Sequence, residues 1–101
     1  MLFRSMLEAL AKIDLQWDGT NAFAGALDTL PLTRQVNALY HWLGWQRVPA
    51  PSQSQLLEWA TQLFRAAPAG KPQRAGGHDL VILRRNNRLL LLSKSAQETV
   101  T

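Results

Sequence analysis

The chain has 101 residues and no cysteine, which excludes a disulfide framework and a thiolate metal site. No apolar run reaches membrane-spanning length, and Arg4 and Glu8 interrupt any secretion signal, so we expect a cytoplasmic location and no membrane partner. The formal net charge is +4, but residues 1–33 carry −2 and residues 34–94 carry +7. Most of the basic residues are arginine, whose planar guanidinium suits phosphate, so this segregation favours a polyanionic partner over a merely solvated surface.

The first third of the chain predicts one helix and one ambiguous stretch. Residues 2–13 carry apolar side chains at helical spacing, and Asp18-Gly19 marks a turn after them. Residues 23–27 fit either a short helix or an extended segment, and their pattern does not decide between the two.

Two further amphipathic helices are predicted in the middle of the chain. Apolar side chains repeat at i, i+3, i+4 and i+7 over residues 31–46 and again over residues 52–67. Prolines between the two ranges end one helix and precede the other. Ser52 followed by Gln55 matches a capping box, which predicts that Ser52 is the N-cap of the third helix.

One strip of the second helix, opposite its apolar stripe, carries Arg34, Ala38, His41 and Trp45. Basic side chains contact phosphates and aromatic rings stack on bases. Arg34 is therefore a candidate RNA contact, and Trp45 is a candidate stacking ring. An alternative stays open, in which Trp45 covers a neighbouring segment and Arg34 is merely solvated.

Two stretches near the C-terminus are predicted to lack regular structure. Residues 68–77 are rich in Pro, Gly and Ala, and they form a predicted mobile loop that contains Lys71 and Arg74. Both side chains are candidate RNA contacts because mobile basic loops often meet nucleic acid. The polar residues 94–101 are predicted to form a flexible tail.

A β-hairpin is predicted between these two stretches. Residues 80–83 and 89–92 are its strands, and Asn86-Asn87 supply the positive φ values that a tight turn needs. Three candidate phosphate contacts surround this turn: Arg84, Arg85 and Arg88. Both strands are apolar on both faces, whereas a hairpin with one wet face alternates, so we expect a partner to cover the second face.

These elements predict an α+β fold, a small helical domain of three helices followed by a β-hairpin, in a single domain over residues 1–101. The sequence shows no arrangement of residues that is typical of a catalytic centre. The histidines His41 and His78 lie far apart and no cysteine supplements them, which argues against a zinc site. Gly76-Gly77 precedes a predicted strand, whereas phosphate loops open a helix. We therefore predict no catalytic residue, no metal site and no cofactor in this chain.

The order of these features is that of a known family. In that family an arginine begins a helix that ends in Trp-Leu, and a Pro-Ser turn and a second helix follow. A glycine, a strand with an arginine pair and a strand of large apolar residues come next. Here these are Arg34, Trp42-Leu43, Pro51-Ser52, Leu56, Gly77, Arg84-Arg85 and residues 89–92. Over residues 27–93 the chain thus resembles the middle, substrate-binding domain of bacterial tRNA(Ile)-lysidine synthetase.

The resemblance implies a non-catalytic, tRNA-binding part of a larger ligase. The full enzymes use ATP and Mg²⁺ to attach lysine to the wobble cytidine of a minor isoleucine tRNA. Their chemistry lies in an ATP-pyrophosphatase domain with a Ser-Gly-Gly-x-Asp-Ser phosphate loop, which this sequence lacks. The implied partners are tRNA and that catalytic domain, or another partner that covers the hairpin.

Two other functions fit parts of the pattern. A winged-helix DNA-binding protein has the same element order, but residues 47–52 exceed its usual short turn, and the third helix lacks a basic outer face. A protein-interaction module would use the apolar hairpin as its contact surface.

Overall fold

The computed structural model describes residues 2–65, 73–76 and 80–93. The helices are α1 (Leu2–Asp14), α2 (Leu32–Trp45) and α3 (Gln53–Phe64), with a short 3-10 helix at Gly25–Thr29. The strands are β1 (Gln73–Gly76), β2 (Leu80–Arg85) and β3 (Arg88–Ser93), in an antiparallel sheet of order β1-β2-β3. The predicted α+β class, with three helices before a hairpin, is confirmed. None of the described helices is long and apolar enough to cross a membrane.

The beginning of α3 follows the predicted capping pattern. The backbone N–H of Gln55 donates to Ser52 Oγ at 3.2 Å, so Ser52 is the N-cap. The helix ends at Phe64, earlier than the predicted residue 67, because Arg65 leaves helical geometry with φ −126°. Residues 66–72 and the predicted tail 94–101 lie outside the described residues.

Strand β1 corrects the prediction that residues 68–77 form a loop throughout. Its four residues pair with β2, from Gln73 opposite Arg84 to Gly76 opposite Val81. Gly76 has φ +135°, and an added Cβ would collide with the Leu80 carbonyl oxygen, so only glycine fits there. The Gln-Arg-Ala-Gly sequence has no apolar alternation, and the pairing with β2 stabilises it as a strand.

The segment before α2 uses both of the conformations that its sequence allowed. Phe23 forms an isolated antiparallel β-bridge with Arg88. On either side of it, Leu89 N–H donates to Ala22 O at 2.9 Å and Ala24 N–H donates to Asn87 O at 2.6 Å. The 3-10 helix follows at once. These hydrogen bonds attach the hairpin turn to the helical half of the molecule.

The hydrophobic core lies between α2, α3, the 3-10 helix and one face of the sheet. Its largest fully buried apolar side chains are Trp42, Leu15, Leu27, Leu39, Leu43, Leu63 and Ile82. Helix α2 packs against both α1 and α3, so its buried surface is wider than one stripe and includes Ala38 and Trp42. Tyr40, at the edge of that surface, is 37% exposed.

The two faces of the hairpin differ in burial. Ile82 and Leu89 belong to the core. The alternate residues Val81, Leu83, Leu90 and Leu92 face the other way, where they are partly exposed and lie outside the core cluster. We call these four side chains the outer apolar face.

Replacing Leu63 by alanine is expected to lower the free energy of unfolding by about 2–5 kcal/mol, because it leaves a cavity at a fully buried position of α3. Urea denaturation measures the loss. Leu57→Ala is the matched control on the same helix, since Leu57 is 38% exposed and its loss should be much smaller. Equal losses for the two variants would contradict the assigned buried face of α3.

Candidate nucleic-acid interface

Two arginines face each other at the tip of the hairpin. Asn86 and Asn87 form the turn with φ values of 53° and 63°, so the predicted tight turn is confirmed. The turn places Arg85 directly opposite Arg88, and both side chains are exposed. Like charges directly opposite on a sheet repel. Because neither guanidinium has an acidic partner within the described ranges, an anion between them would relieve this repulsion.

The neighbouring Arg84 points to the opposite face and is 7% exposed. Its Nη1 and Nη2 donate to the two carboxylate oxygens of Asp28 at 2.6 and 2.7 Å. The same nitrogens donate to Leu63 O at 3.0 Å and to Asn87 Oδ1 at 2.7 Å. The Phe64 ring lies 6.0 Å from the guanidinium carbon. Arg84 therefore connects the 3-10 helix, the end of α3 and the hairpin turn.

A contact between Arg84 and phosphate stays a prediction, and the structure gives this side chain a different set of partners. A guanidinium has five N–H donors, and four hydrogen bonds from Arg84 go to groups of this chain. Sequence patterns gave no sign of the Asp28 partner, which lies 56 residues away.

Arg34 also forms an ion pair within the fold. Its Nε and Nη2 donate to the carboxylate of Asp14 at 2.9 and 2.7 Å, which joins the start of α2 to the end of α1. These hydrogen bonds raise the pKa of Arg34 above its usual value. The Asp14 side chain is 3% exposed and that of Arg34 is 36% exposed, so one side of the guanidinium still meets solvent.

Trp45 packs against a neighbouring segment, which was the alternative interpretation of its strip. Its ring stacks on Trp17 with the ring centroids 4.7 Å apart, and its Nε1–H donates to Glu8 Oε2 at 2.7 Å. Ala38, in the middle of the strip, is fully buried. Arg34 and Trp45 of this strip therefore contact α1 and the segment after it, and the stacking role of Trp45 stays a prediction.

The remaining predicted contacts are only partly within the described residues. Lys71 lies outside them. Arg74 is in β1 opposite Leu83, and its backbone alone is described. The structure thus brings Arg84, Arg85 and Arg88 together at the hairpin, whereas Arg34 lies at the junction of α1 and α2.

Adjacent arginines of β2 are expected to differ sharply in their effect on stability. Arg84→Gln should lower the free energy of unfolding by about 2–4 kcal/mol, because it leaves Asp28 and the Leu63 carbonyl without the buried guanidinium. Arg85→Gln makes the same change on the exposed face and should stay within about 0.5 kcal/mol. Urea denaturation of the two variants decides the matter, and equal losses would refute the structural role of Arg84.

Comparison with known protein families identifies the family of this chain. The family model of the TilS substrate binding domain matches residues 24–90, which run from the 3-10 helix into β3 and include Arg34 and all three hairpin arginines. No curated protein matches the chain. The match covers about two thirds of the sequence and confirms the resemblance seen over residues 27–93. The chain belongs to the TilS substrate binding domain family.

Proposed function

We propose that this chain is the non-catalytic tRNA-binding domain of a tRNA(Ile)-lysidine synthetase. In this role it holds a minor isoleucine tRNA while another domain attaches lysine to the wobble cytidine at the expense of ATP. Membership of the substrate binding family supports the proposal. The concentration of positive charge in residues 34–94 supports a polyanionic partner.

The observation that carries the proposal is the pair Arg85 and Arg88 at the hairpin tip. The two residues are paired directly across the hairpin, and their exposed side chains have no acidic partner among the residues described. Two hydrogen bonds to Asn87 fix the turn between them: Arg84 donates to Asn87 Oδ1, and Ala24 N–H donates to Asn87 O. Because the backbone of the turn is already fixed, binding a phosphate has to order only the two side chains.

Other basic residues have secondary roles in this proposal. Arg34 keeps its bond to Asp14 and offers phosphate only its solvent-facing side. Lys71 and Arg74 add positive charge on the chain leading into β2. Arg84 acts by supporting the turn rather than by touching tRNA.

We propose that the outer apolar face contacts the catalytic ATP-pyrophosphatase domain. Val81 pairs with Leu92 and Leu83 pairs with Leu90, so four apolar side chains form one continuous surface beside the hairpin tip. A domain docked there would place its active site near the tRNA held by Arg85 and Arg88. In this proposal ATP and Mg²⁺ bind to that domain.

The winged-helix alternative places duplex DNA on α3. The exposed residues of that helix include Ser54, Glu58 and Thr61, which are neutral or acidic. Arg65, just beyond the helix, donates to Gln35 Oε1 at 2.9 Å. This surface lacks the basic side chains that major-groove recognition needs, so we favour tRNA over duplex DNA.

The double variant Arg85→Glu with Arg88→Glu is expected to weaken tRNA binding and to flatten its dependence on salt. Each lost phosphate contact removes about 0.7–0.9 from the slope of log K against log salt, so the slope should fall by about 1.5. Filter binding at several salt concentrations measures both quantities. Unchanged affinity and slope would remove the hairpin tip from the binding surface.

The matched control is Arg85→Lys with Arg88→Lys. It keeps both charges and should retain the salt slope, although it loses the planar geometry that suits phosphate. Urea denaturation of both double variants checks that the fold is unchanged. Arg84 is left unaltered in this experiment because its replacement is expected to destabilise the protein.

A further inference from the structure

A second candidate site lies away from the hairpin, between α1 and the C-terminal end of α2. It is an open cavity of about 400 Å³. The lining residues used below are Glu8, Tyr40, His41, Gly44 and Trp45. Cavities that bind small molecules or parts of larger ones measure about 300–1,000 Å³ and combine apolar or aromatic walls with a few polar groups. The size and the lining of this cavity fall within that range.

Three aromatic rings of α2 line this cavity, two from adjacent residues and one from the next turn. The rings of Tyr40 and His41 meet edge to face with centroids 5.1 Å apart, and those of His41 and Trp45 lie 6.5 Å apart at 33°. Trp45 is fixed from two sides, by its hydrogen bond to Glu8 and by its stacking on Trp17. The Lys12 ammonium lies 6.0 Å from the centroid of the Trp45 ring. The cavity therefore has an aromatic wall that is held in place by α1 and Trp17.

Gly44 lines the cavity without a side chain of its own. A Cβ built at this position has no atom within 4 Å, so packing does not require glycine. Helix termination does not require it either, since the left-handed residue after α2 is Arg47, with φ 62°. Glycine lowers helix stability relative to alanine. Neither packing nor helix termination therefore explains a glycine at this position. What Gly44 does provide is free space beside the rings.

We propose that this cavity binds one unpaired nucleobase of the tRNA, an inference that rests on the proposed function. Every base has a π-face that stacks on aromatic rings. Glu8, whose carboxylate accepts the Trp45 indole N–H, also lines the cavity, and a negative charge there disfavours phosphate relative to an uncharged base. Bases can be splayed into such a cavity only from single-stranded loops, bulges and ends. The site thus distinguishes a looped RNA from a duplex, which the phosphate contacts of Arg85 and Arg88 cannot do.

The test fills the cavity without disturbing the core. Gly44→Leu projects a side chain into open space and should weaken binding of a stem-loop RNA by roughly five- to a hundredfold, the range found when a stacked base is lost. Binding of a fully paired RNA duplex should stay unchanged. Ala9→Leu adds the same side chain to an exposed position of α1 outside the cavity and is the matched control.

A spectroscopic measurement on the unmodified chain tests the site directly. The stem-loop RNA should shift the NMR signal of the Trp45 indole N–H, whereas the paired duplex should not. His41→Ala removes one ring of the wall and should reduce stem-loop affinity in the same direction as Gly44→Leu. This variant provides a second test if Gly44→Leu does not fold.

The outcomes separate this site from the proposed function. Full stem-loop binding by Gly44→Leu and His41→Ala, together with loss of binding by Arg85→Glu with Arg88→Glu, would overturn the base site and leave the tRNA-binding role intact. Aromatic rings also bind organic cations, for which tetramethylammonium is a simple probe. If tetramethylammonium shifts the Trp45 signal and RNA does not, the cavity is a cation site and the proposal is overturned. No binding of any RNA at low salt would overturn both.

Discussion

The buried guanidinium of Arg84 is the interaction on which the arrangement of the molecule depends. A charged group at 7% exposure is costly unless it is paired and fully hydrogen-bonded. Arg84 meets this condition through Asp28, Leu63 and Asn87, which belong to three separate elements. One side chain thus links the 3-10 helix and the end of α3 to the hairpin turn, in addition to the backbone hydrogen bonds of residues 22 and 24. Loss of a partner would leave part of the buried guanidinium unsatisfied.

This interaction also explains how two adjacent arginines have different roles. Successive residues of a strand point to opposite faces, so the Arg84 side chain points into the core and the Arg85 side chain points into solvent. The buried residue holds Asn87 in the turn, and the turn sets Arg85 against Arg88. The geometry of the proposed phosphate contact is thus a consequence of the packing behind it. A change of register by one residue would exchange the two arginines and lose both roles.

Local sequence patterns predicted the elements that depend on neighbouring residues. The Asn-Asn turn, the Ser52 cap and the two strands of the hairpin all follow from backbone preferences over a few positions. Strand β1 was missed because its sequence has no apolar alternation, and pairing with β2 determines its conformation. The division of residues 22–29 between extended and 3-10 structure depends similarly on hydrogen bonds to the distant hairpin.

The candidate site was less predictable than the fold, for the same reason. An arginine in solvent and an arginine in an ion pair look identical in sequence, and the acidic partners of Arg34 and Arg84 lie 20 and 56 residues away. Trp45 shows the same limit, since its partners Glu8 and Trp17 come from α1 and the segment that follows it. The cavity beside Trp45 could not be anticipated either, because its walls come from α1 and α2, which are far apart in sequence.

The most direct test of the central claim is a binding titration of the unmodified chain. The ligands are unmodified minor isoleucine tRNA, an unrelated tRNA and duplex DNA, each at two salt concentrations. A tRNA-binding domain is expected to prefer the isoleucine tRNA over duplex DNA, with an affinity that falls steeply as salt rises. A preference for duplex DNA, or no binding to any of the three at low salt, would contradict it.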